Sequence, residues 1–385
     1  MSTHRNVRLL ALHNFLSDLR PYFAIAVVYF SHITGSYAQA MLVFSMVMFS
    51  AAALELPTGI FSDMIGRKGS IIVGSAACVA ALLLYTFGYS LEVLLVGAFF
   101  EGMSRSFFSG NNDALLYDSL RDEGKEDTYA QVLGKTSSMF QLALAMGALI
   151  AGLLGTMPLR LIVFISIIPQ ILAFFVGFFF REPHHYARES TNIYSHMREA
   201  LVQFQDNSRL RFLTFGSAIK FGIGEAKFYF EPAFIALLWP PWGLGISRML
   251  QHGFGWLSYW FSGWFVRRHS ATLCLFASAG IVSILGFIAY GFPSVFSPLL
   301  LALMSLFFGL FMVSQGTLLQ KEFTDSQRAT MGSIGSLFGS LLFAISSVLL
   351  GFLADVLGPA KALLIAEIVL ALFLYPVYWR LFKHK

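Results

Sequence analysis

Apolar residues in this chain run in long blocks. Mostly apolar stretches cover about 7–33, 37–60, 69–89, 91–118, 130–156 and 159–180, and after one polar break they resume at about 210–237, 242–266, 270–291, 296–319, 331–354 and 359–380. A helix rising about 1.5 Å per residue crosses a hydrocarbon core of about 30 Å in roughly 20 residues. Backbone polar groups in lipid must be satisfied within the segment, so runs of this length are predicted to be helices. The pattern predicts an all-α integral membrane protein with twelve transmembrane helices in two six-helix halves. The halves are expected at 1–180 and 210–385, joined by a linker at 181–209. Within the linker Ile193, Met197, Leu201 and Phe204 fall near helical spacing, which predicts an amphipathic helix on the inner membrane surface.

Composition agrees with a membrane protein. Charged residues make up only 12% of the chain and hydrophobic ones 57%, against about a quarter charged in soluble domains. The net charge of +5 is read as a topology signal, because Lys and Arg collect on the cytoplasmic side; it does not point to nucleic acid. With both termini inside, nineteen Lys/Arg fall on cytoplasmic segments and three, Arg160, Arg248 and Lys361, on the outer side. Arg248 is expected to snorkel towards the outer surface. The first apolar run carries Asp18 and Arg20 in its middle, unlike a signal peptide, and is read as a retained span. Cys78 and Cys274 lie in apolar runs and suggest neither a disulfide framework nor a metal centre. His184, His185 and His196 have no metal-ligand spacing. No metal or cofactor is expected.

The connection between the second and third spans reads GIFSDMIGRKGS, residues 59 to 70. It sets Asp63, Arg67 and Lys68 among the glycines Gly59 and Gly66. A topogenic loop accounts for the basic pair but not for the aspartate or the glycines. Gly59, Asp63, Gly66, Arg67 and Lys68 fill the pattern Gly-x-x-x-Asp-x-x-Gly-Arg-Lys. In this loop, with this span count and sidedness, the pattern resembles the major facilitator superfamily, and the preceding ELPTG resembles a subgroup of its bacterial members similar to drug/proton antiporters. The resemblance implies an inner latch. The aspartate would face the start of the eleventh helix, here TMGSIGS at 330–336, where free amides favour an anion. Gly59 would let helices approach closely, Gly66 would permit a tight turn, and Arg67 would reach Asp118. A decayed counterpart, GWFVRRHS, follows the eighth span, and a further echo, GFLADVLG (351–358), ends the eleventh on the outer side.

Charges inside spans mark a cavity or a partner, since each costs a few kcal/mol or more at mid-bilayer. The first span holds Asn14, Asp18 and Arg20, with Pro21 able to loosen the helix. The fourth holds Glu101 and Arg105, four apart on one face that Phe108 and Asn112 extend. The seventh holds Lys220, Lys227 and Glu231 on one stripe, with Glu225 about 140° away from Lys220 on an ideal helix. In the eighth, His252 is either a titrating group or a hydrogen-bonded structural one. Structural ion pairs are the alternative for Glu101–Arg105 and Lys227–Glu231.

The antiporter motif of the family's fourth span is poorly kept, with Ala98, Glu101 and Gly102 at its positions and Arg105 one turn on. The fifth span has GALIAGLLG (147–155), small residues without the usual proline. The expected function is secondary active transport by alternating access, most simply export of a small organic molecule driven by the proton gradient. At least one of Glu101, Glu225 and Glu231 would carry the proton, with Asp18 in reserve. A symporter or facilitator for an organic anion or zwitterion, drawn by Arg105, Lys220 and Lys227, is the alternative. No His-Glu-x-x-His or Gly-x-Ser-x-Gly motif supports an intramembrane enzyme. The partners expected are a small-molecule substrate and the lipid bilayer of a bacterial inner membrane, with a functional monomer.

Overall fold

The computed structural model describes residues 3–183, 207–322 and 328–383. The expected linker helix and the histidines at 184, 185 and 196 lie outside the described residues, as does the side chain of Asp63.

Among the described residues the only regular structure is helical. The chain begins with α1 (Thr3–Asp18), a 3-10 turn (Pro21–Ala24) and α2 (Ala26–Thr34), followed by α3 (Tyr37–Phe87), α4 (Leu91–Phe108) and α5 (Asn111–Arg121). Next come α6 (Tyr129–Leu153), α7 (Leu159–Ile165) and α8 (Ile167–Phe178). Then follow α9 (Ser208–Ile219), a π-helical turn (Lys220–Glu225) and α10 (Ala226–Ile235). The last five are α11 (Pro241–Arg268), α12 (Ala271–Gly291), α13 (Ser297–Glu322), α14 (Arg328–Leu357) and α15 (Pro359–Lys383).

Among the described residues, eight helical stretches are long and apolar enough to cross a membrane. They correspond to the expected second, third, fifth, sixth and ninth to twelfth spans. The four that miss this criterion are the first, fourth, seventh and eighth; each carries ionisable or His residues, although Glu367 lies within the twelfth. Three of these four are broken, which corrects the expectation of single helices over 7–33, 91–118 and 210–237. Pro21 opens the 3-10 turn after α1, having no N–H for the helix ladder. Gly110 adopts φ +69° between α4 and α5, a left-handed value at which only glycine is unstrained. The π turn interrupts the seventh segment, a distortion found frequently at functional sites. In these three segments charged side chains and a break in regular helix occur together.

The chain forms two compact units. One comprises the described residues within Met1–Gly35, Leu42–Glu189 and Pro241–Met249, and the other those within Ser36–Met41, Ser190–Pro240 and Leu250–Lys385. In the first, Leu10, Ile71, Leu115, Leu116 and Phe180 make a buried cluster. In the second, Leu213, Leu275, Phe311, Leu374 and Tyr378 do the same. Lipid tails are as apolar as leucine, so close packing by small residues must do much of the work that hydrophobic burial does in water. Gly102 lies directly on the backbone of α3 at Val47 and Ala51, and Gly147 approaches the backbone of Arg20 and Pro21 at 3.3 Å. Gly152 and Gly155 pack on the first turn of α11. The small residues of GALIAGLLG thus provide the close approach expected of them. Large apolar side chains such as Leu153, Trp260 and Leu372 are exposed on the outside of these helices, as lipid-facing positions should be.

Candidate functional site

In the first unit the site is centred on Glu101, which is 4% exposed. Arg20 Nη1 donates to its Oε1 at 3.2 Å, and Arg105 lies 3.6 Å from the same oxygen. The hydroxyls of Tyr22 and Tyr85 both donate to Oε2 at 3.0 Å. The Glu101–Arg105 pair is the i, i+4 contact predicted from spacing, but Arg20, Tyr22 and Tyr85 come from other segments. The break after α1 makes this possible, since it turns Arg20 and Tyr22 inward. The carbonyls it frees are also satisfied. Gln170 Nε2 donates to Leu16 O at 3.0 Å and to Ser17 O at 3.2 Å, while Arg20 Nε donates to Ser17 O at 2.5 Å. Asp18 is half-buried at the end of α1, within the field of Arg20 and Arg105. Asn112 donates to Asn14 Oδ1 at 3.2 Å. It does so from α5, beyond the Gly110 break, so it is not carried on the Glu101–Arg105 face of one continuous helix as its spacing suggested.

In the second unit Lys227, 4% exposed, forms a buried ion pair with Glu367 of α15. Glu231, one turn beyond Lys227, accepts from Tyr290 Oη at 3.0 Å and from Gln251 Nε2 at 3.1 Å. Glu367 is fully buried, and Gly286 makes room for it: a Cβ there would stand 2.9 Å from its carboxylate. Lys220 lies 5.7 Å from the Phe311 ring centroid, close enough for a cation–π contact. Lys220 and Glu225 are both half-buried and bound the π turn. The angle of 140° between them assumed regular α geometry and does not hold there. His252 meets the edge of the Phe228 ring at 6.0 Å between centroids. Arg248, which belongs to the first unit, is only 4% exposed; its position seven residues inside α11 sets it in packed interior, so it does not snorkel.

Glu367, Tyr22, Tyr85 and Tyr290 were missed by sequence reasoning. A lone carboxylate in the apolar run 359–380 was the available signal for Glu367. Tyrosines in a chain that is 16% aromatic carried no signal at all.

The loop after the second span keeps part of its predicted geometry. Gly66 has φ +83° and ψ +169° and separates two spans within α3. Arg67 Nε lies 3.6 Å from Asp118 Oδ2, the pairing foreseen. A second carboxylate was not foreseen. Glu182 accepts from the backbone N–H of Arg67 at 2.5 Å and of Lys68 at 2.9 Å, capping the helix that restarts after Gly66. Asn111 ties the turn further, donating to Arg67 O at 3.1 Å and accepting from Ser62 Oγ at 2.9 Å. Gly59 is exposed, and among the described residues nothing lies within 4 Å of where its Cβ would be. The Asp63 side chain and those of 330–334 lie outside the described residues, and with them the latch expected between the two.

The GFLADVLG echo has the sharper geometry. Asp355 accepts from Ser36 Oγ at 2.6 Å, from Tyr37 N at 2.6 Å and from Ala38 N at 3.0 Å. A Cβ on Gly351 would lie 2.5 Å from Tyr37 O, and Gly358 has φ +84°.

No curated protein sequence matches the chain. Solved structures do. The nucleoside transporter NupG superposes with a TM-score of 0.78 at 15% identity, covering 100% of this chain and 99% of its own. A bacterial homolog of the human lysosomal transporter Spinster, solved inward-facing and unoccupied, gives 0.77 at 15% identity, covering 98% of this chain and 95% of its own. At these identities the likeness is one of fold. The sequence profile of the Major Facilitator Superfamily matches residues 12–346. With its apolar helices, this makes the protein a multi-pass membrane protein of a transporter family rather than an enzyme. The chain belongs to the Major Facilitator Superfamily.

Proposed function

We propose that this protein is a secondary active transporter that exports a small organic molecule by alternating access, driven by proton entry across a bacterial inner membrane. In this reading the eight apolar helices and the four polar segments make twelve spans. Residues 1–180 and 210–385 form two six-helix halves joined by 181–209, and both termini are cytoplasmic. The protein acts as a monomer and takes its energy from the proton gradient.

The observation that carries the reading is the pair of buried polar networks, one in each unit, each including charged residues of a segment that also breaks regular helix. Charges in membrane spans face partners or a cavity and mark ion or substrate pathways. Transporters of this architecture bind near the midplane on discontinuous helices. Glu101 accepts from Arg20 and two tyrosines, and Glu231 accepts from Tyr290 and Gln251, so in either unit taking up a proton would rearrange a buried network. Glu101, Glu225 and Glu231 are the candidates for the coupling carboxylate, with Asp18 in reserve. Organic-anion or zwitterion symport is the second reading, supported by Arg105, which keeps a side-chain exposure of 30%.

The test is a stabilisation screen of purified protein across drugs, organic acids and nucleosides. A compound that binds only the folded state raises its stability by mass action. Binders confined to nucleosides would redirect the substrate assignment, and organic acids alone would favour the second reading.

A further inference from the structure

Buried charge in the second unit does not balance. Lys227, Glu231 and Glu367 are 4%, 6% and 0% exposed. The lysine pairs with Glu367 Oε2. Its ammonium also lies 5.3 Å from the centroid of the Tyr290 ring, and the Tyr290 hydroxyl donates to Glu231 Oε1 at 3.0 Å. The three groups thus form one cluster of two carboxylates and one cation. Lys220 and Glu225, which bound the adjoining π turn, add one charge of each sign and leave the surplus carboxylate as it was.

The other elements around the cluster do not cancel this surplus. From α12 comes Tyr290, and from α11 come Gln251, which donates to Glu231, and His252, which meets the Phe228 ring edge-on. With the imidazole neutral, as histidine ordinarily is near neutral pH, the surplus stands. The helices α9 and α14 also pack along α15, and their charges lie at their ends, Arg209 and Arg211 in one and Arg328 and Asp355 in the other. On α15 itself Lys361, Arg380 and Lys383 are near the ends as well. Two carboxylates that share one site and one cation do not both stay ionised without a large cost, and the proton that relieves it belongs to the cluster as a whole. Hydrogen bonding selects the oxygen that takes it. Both oxygens of Glu231 already accept, Oε1 from Tyr290 and Oε2 from Gln251. Glu367 gives Oε2 to Lys227, while its Oε1 is buried and has no hydrogen-bond partner among the described residues. A bare carboxylate oxygen in an apolar interior is costly, and a proton placed on it breaks no existing bond.

We propose that Lys227, Glu231 and Glu367 form a single-proton site in the second unit and that its proton resides on Glu367 Oε1. The site adds to the candidates above a carboxylate that sequence reasoning did not mark. For a role in transport it rests on the proton-driven reading; its occupancy is tested without substrate, so the two can fail separately.

Infrared spectra of the purified full chain at neutral pH separate the two charge states, because the C=O stretch of a carboxylic acid vanishes on ionisation. The difference between wild type and Glu367→Gln should show the loss of one acid band with the carboxylate stretches unchanged, since Glu231 then faces the lysine alone and stays ionised. Loss of carboxylate stretches with the acid region unchanged would mean that both glutamates were ionised, and that result overturns the proposal. Tyr290→Phe locates the proton. It removes a donor to Glu231 and keeps the ring beside Lys227, so an acid band on Glu367 stays where it is; a shifted band places the proton on Glu231 and overturns the assignment. Should Glu367→Gln fail to fold, Glu231→Gln must remove the same acid band, because one lysine then meets one carboxylate and Glu367 gives up its proton; an acid region unchanged in that variant also overturns the proposal. If the acid band behaves as predicted and no gradient drives uptake into sealed vesicles, the site stands and the proton-driven reading falls. If the band is absent and vesicles accumulate solute, the site falls and coupling passes to another carboxylate.

Discussion

Removing the carboxylate of Glu101 should destabilise the first unit more than any other single change in its polar network. Glu101→Ala deletes the acceptor for Arg20 and for the hydroxyls of Tyr22 and Tyr85, all at 3.0–3.2 Å. It leaves the Arg20 guanidinium, 9% exposed, without its carboxylate partner. Breaking a buried pair by removing one member typically costs about 3–5 kcal/mol, because the remaining charge stays desolvated. The contact with Arg105 adds little, since that side chain is 30% exposed and exposed pairs contribute about 0–1 kcal/mol. The expected loss is therefore about 3–5 kcal/mol for Glu101→Ala. Replacing both members, as in Glu101→Ala with Arg20→Met, should cost clearly less than the two single changes together. Coupling energies between groups in contact run to about 3 kcal/mol. Denaturant unfolding in detergent, followed by tryptophan fluorescence, measures all four corners of this cycle. A Glu101→Ala protein within about 1 kcal/mol of wild type, or strictly additive losses, would refute the claim that this network is a closed structural unit.

Three further outcomes follow from the inner loop and the charge bias. Gly66→Ala should lose about 1–3 kcal/mol, because φ +83° with ψ +169° is a region essentially open only to glycine, and more if Glu182 must retreat from a Cβ only 2.6 Å away; a melting curve unchanged from wild type would contradict that backbone conformation. Asp63→Asn should slow turnover while leaving ligand-induced stabilisation intact; transport at the wild-type rate would remove the latch reading of the inner loop. Tyr89→Cys should label from outside intact cells and Met64→Cys only after permeabilisation, both positions being more than 70% exposed; the reverse pattern would invert the proposed topology.

Much of the fold is legible in the sequence, and for a physical reason. Lipid enforces long apolar runs and a one-sided Lys/Arg bias, and both are one-dimensional signals. The Gly59–Lys68 pattern adds the family, because glycine at position 66 reports a backbone conformation that few other residues accept. Pairs along one helix were also readable: Glu101 with Arg105 follows from a spacing of four. What could not be read came from other helices. Glu182 capping Arg67 and Lys68, Glu367 meeting Lys227, and Tyr22 and Tyr85 converging on Glu101 all depend on tertiary packing, which spacing does not encode. The breaks were half legible. Pro21 announced one; Gly110 looked like any other glycine of a membrane helix; the π turn at Lys220–Glu225 left no mark in composition and changed which residues share a face.

The central claim, that proton entry drives solute movement through this chain, is tested most directly in sealed vesicles reconstituted with the purified protein. The probe is the compound that most stabilises the protein in the screen, carried as a radiolabel. With the vesicle interior acidified relative to the medium, so that protons leaving the lumen exchange for solute entering it, the account predicts uptake above the equilibrium level that collapses on adding a protonophore. Uptake that stops at equilibrium, or accumulation indifferent to the protonophore, would contradict it.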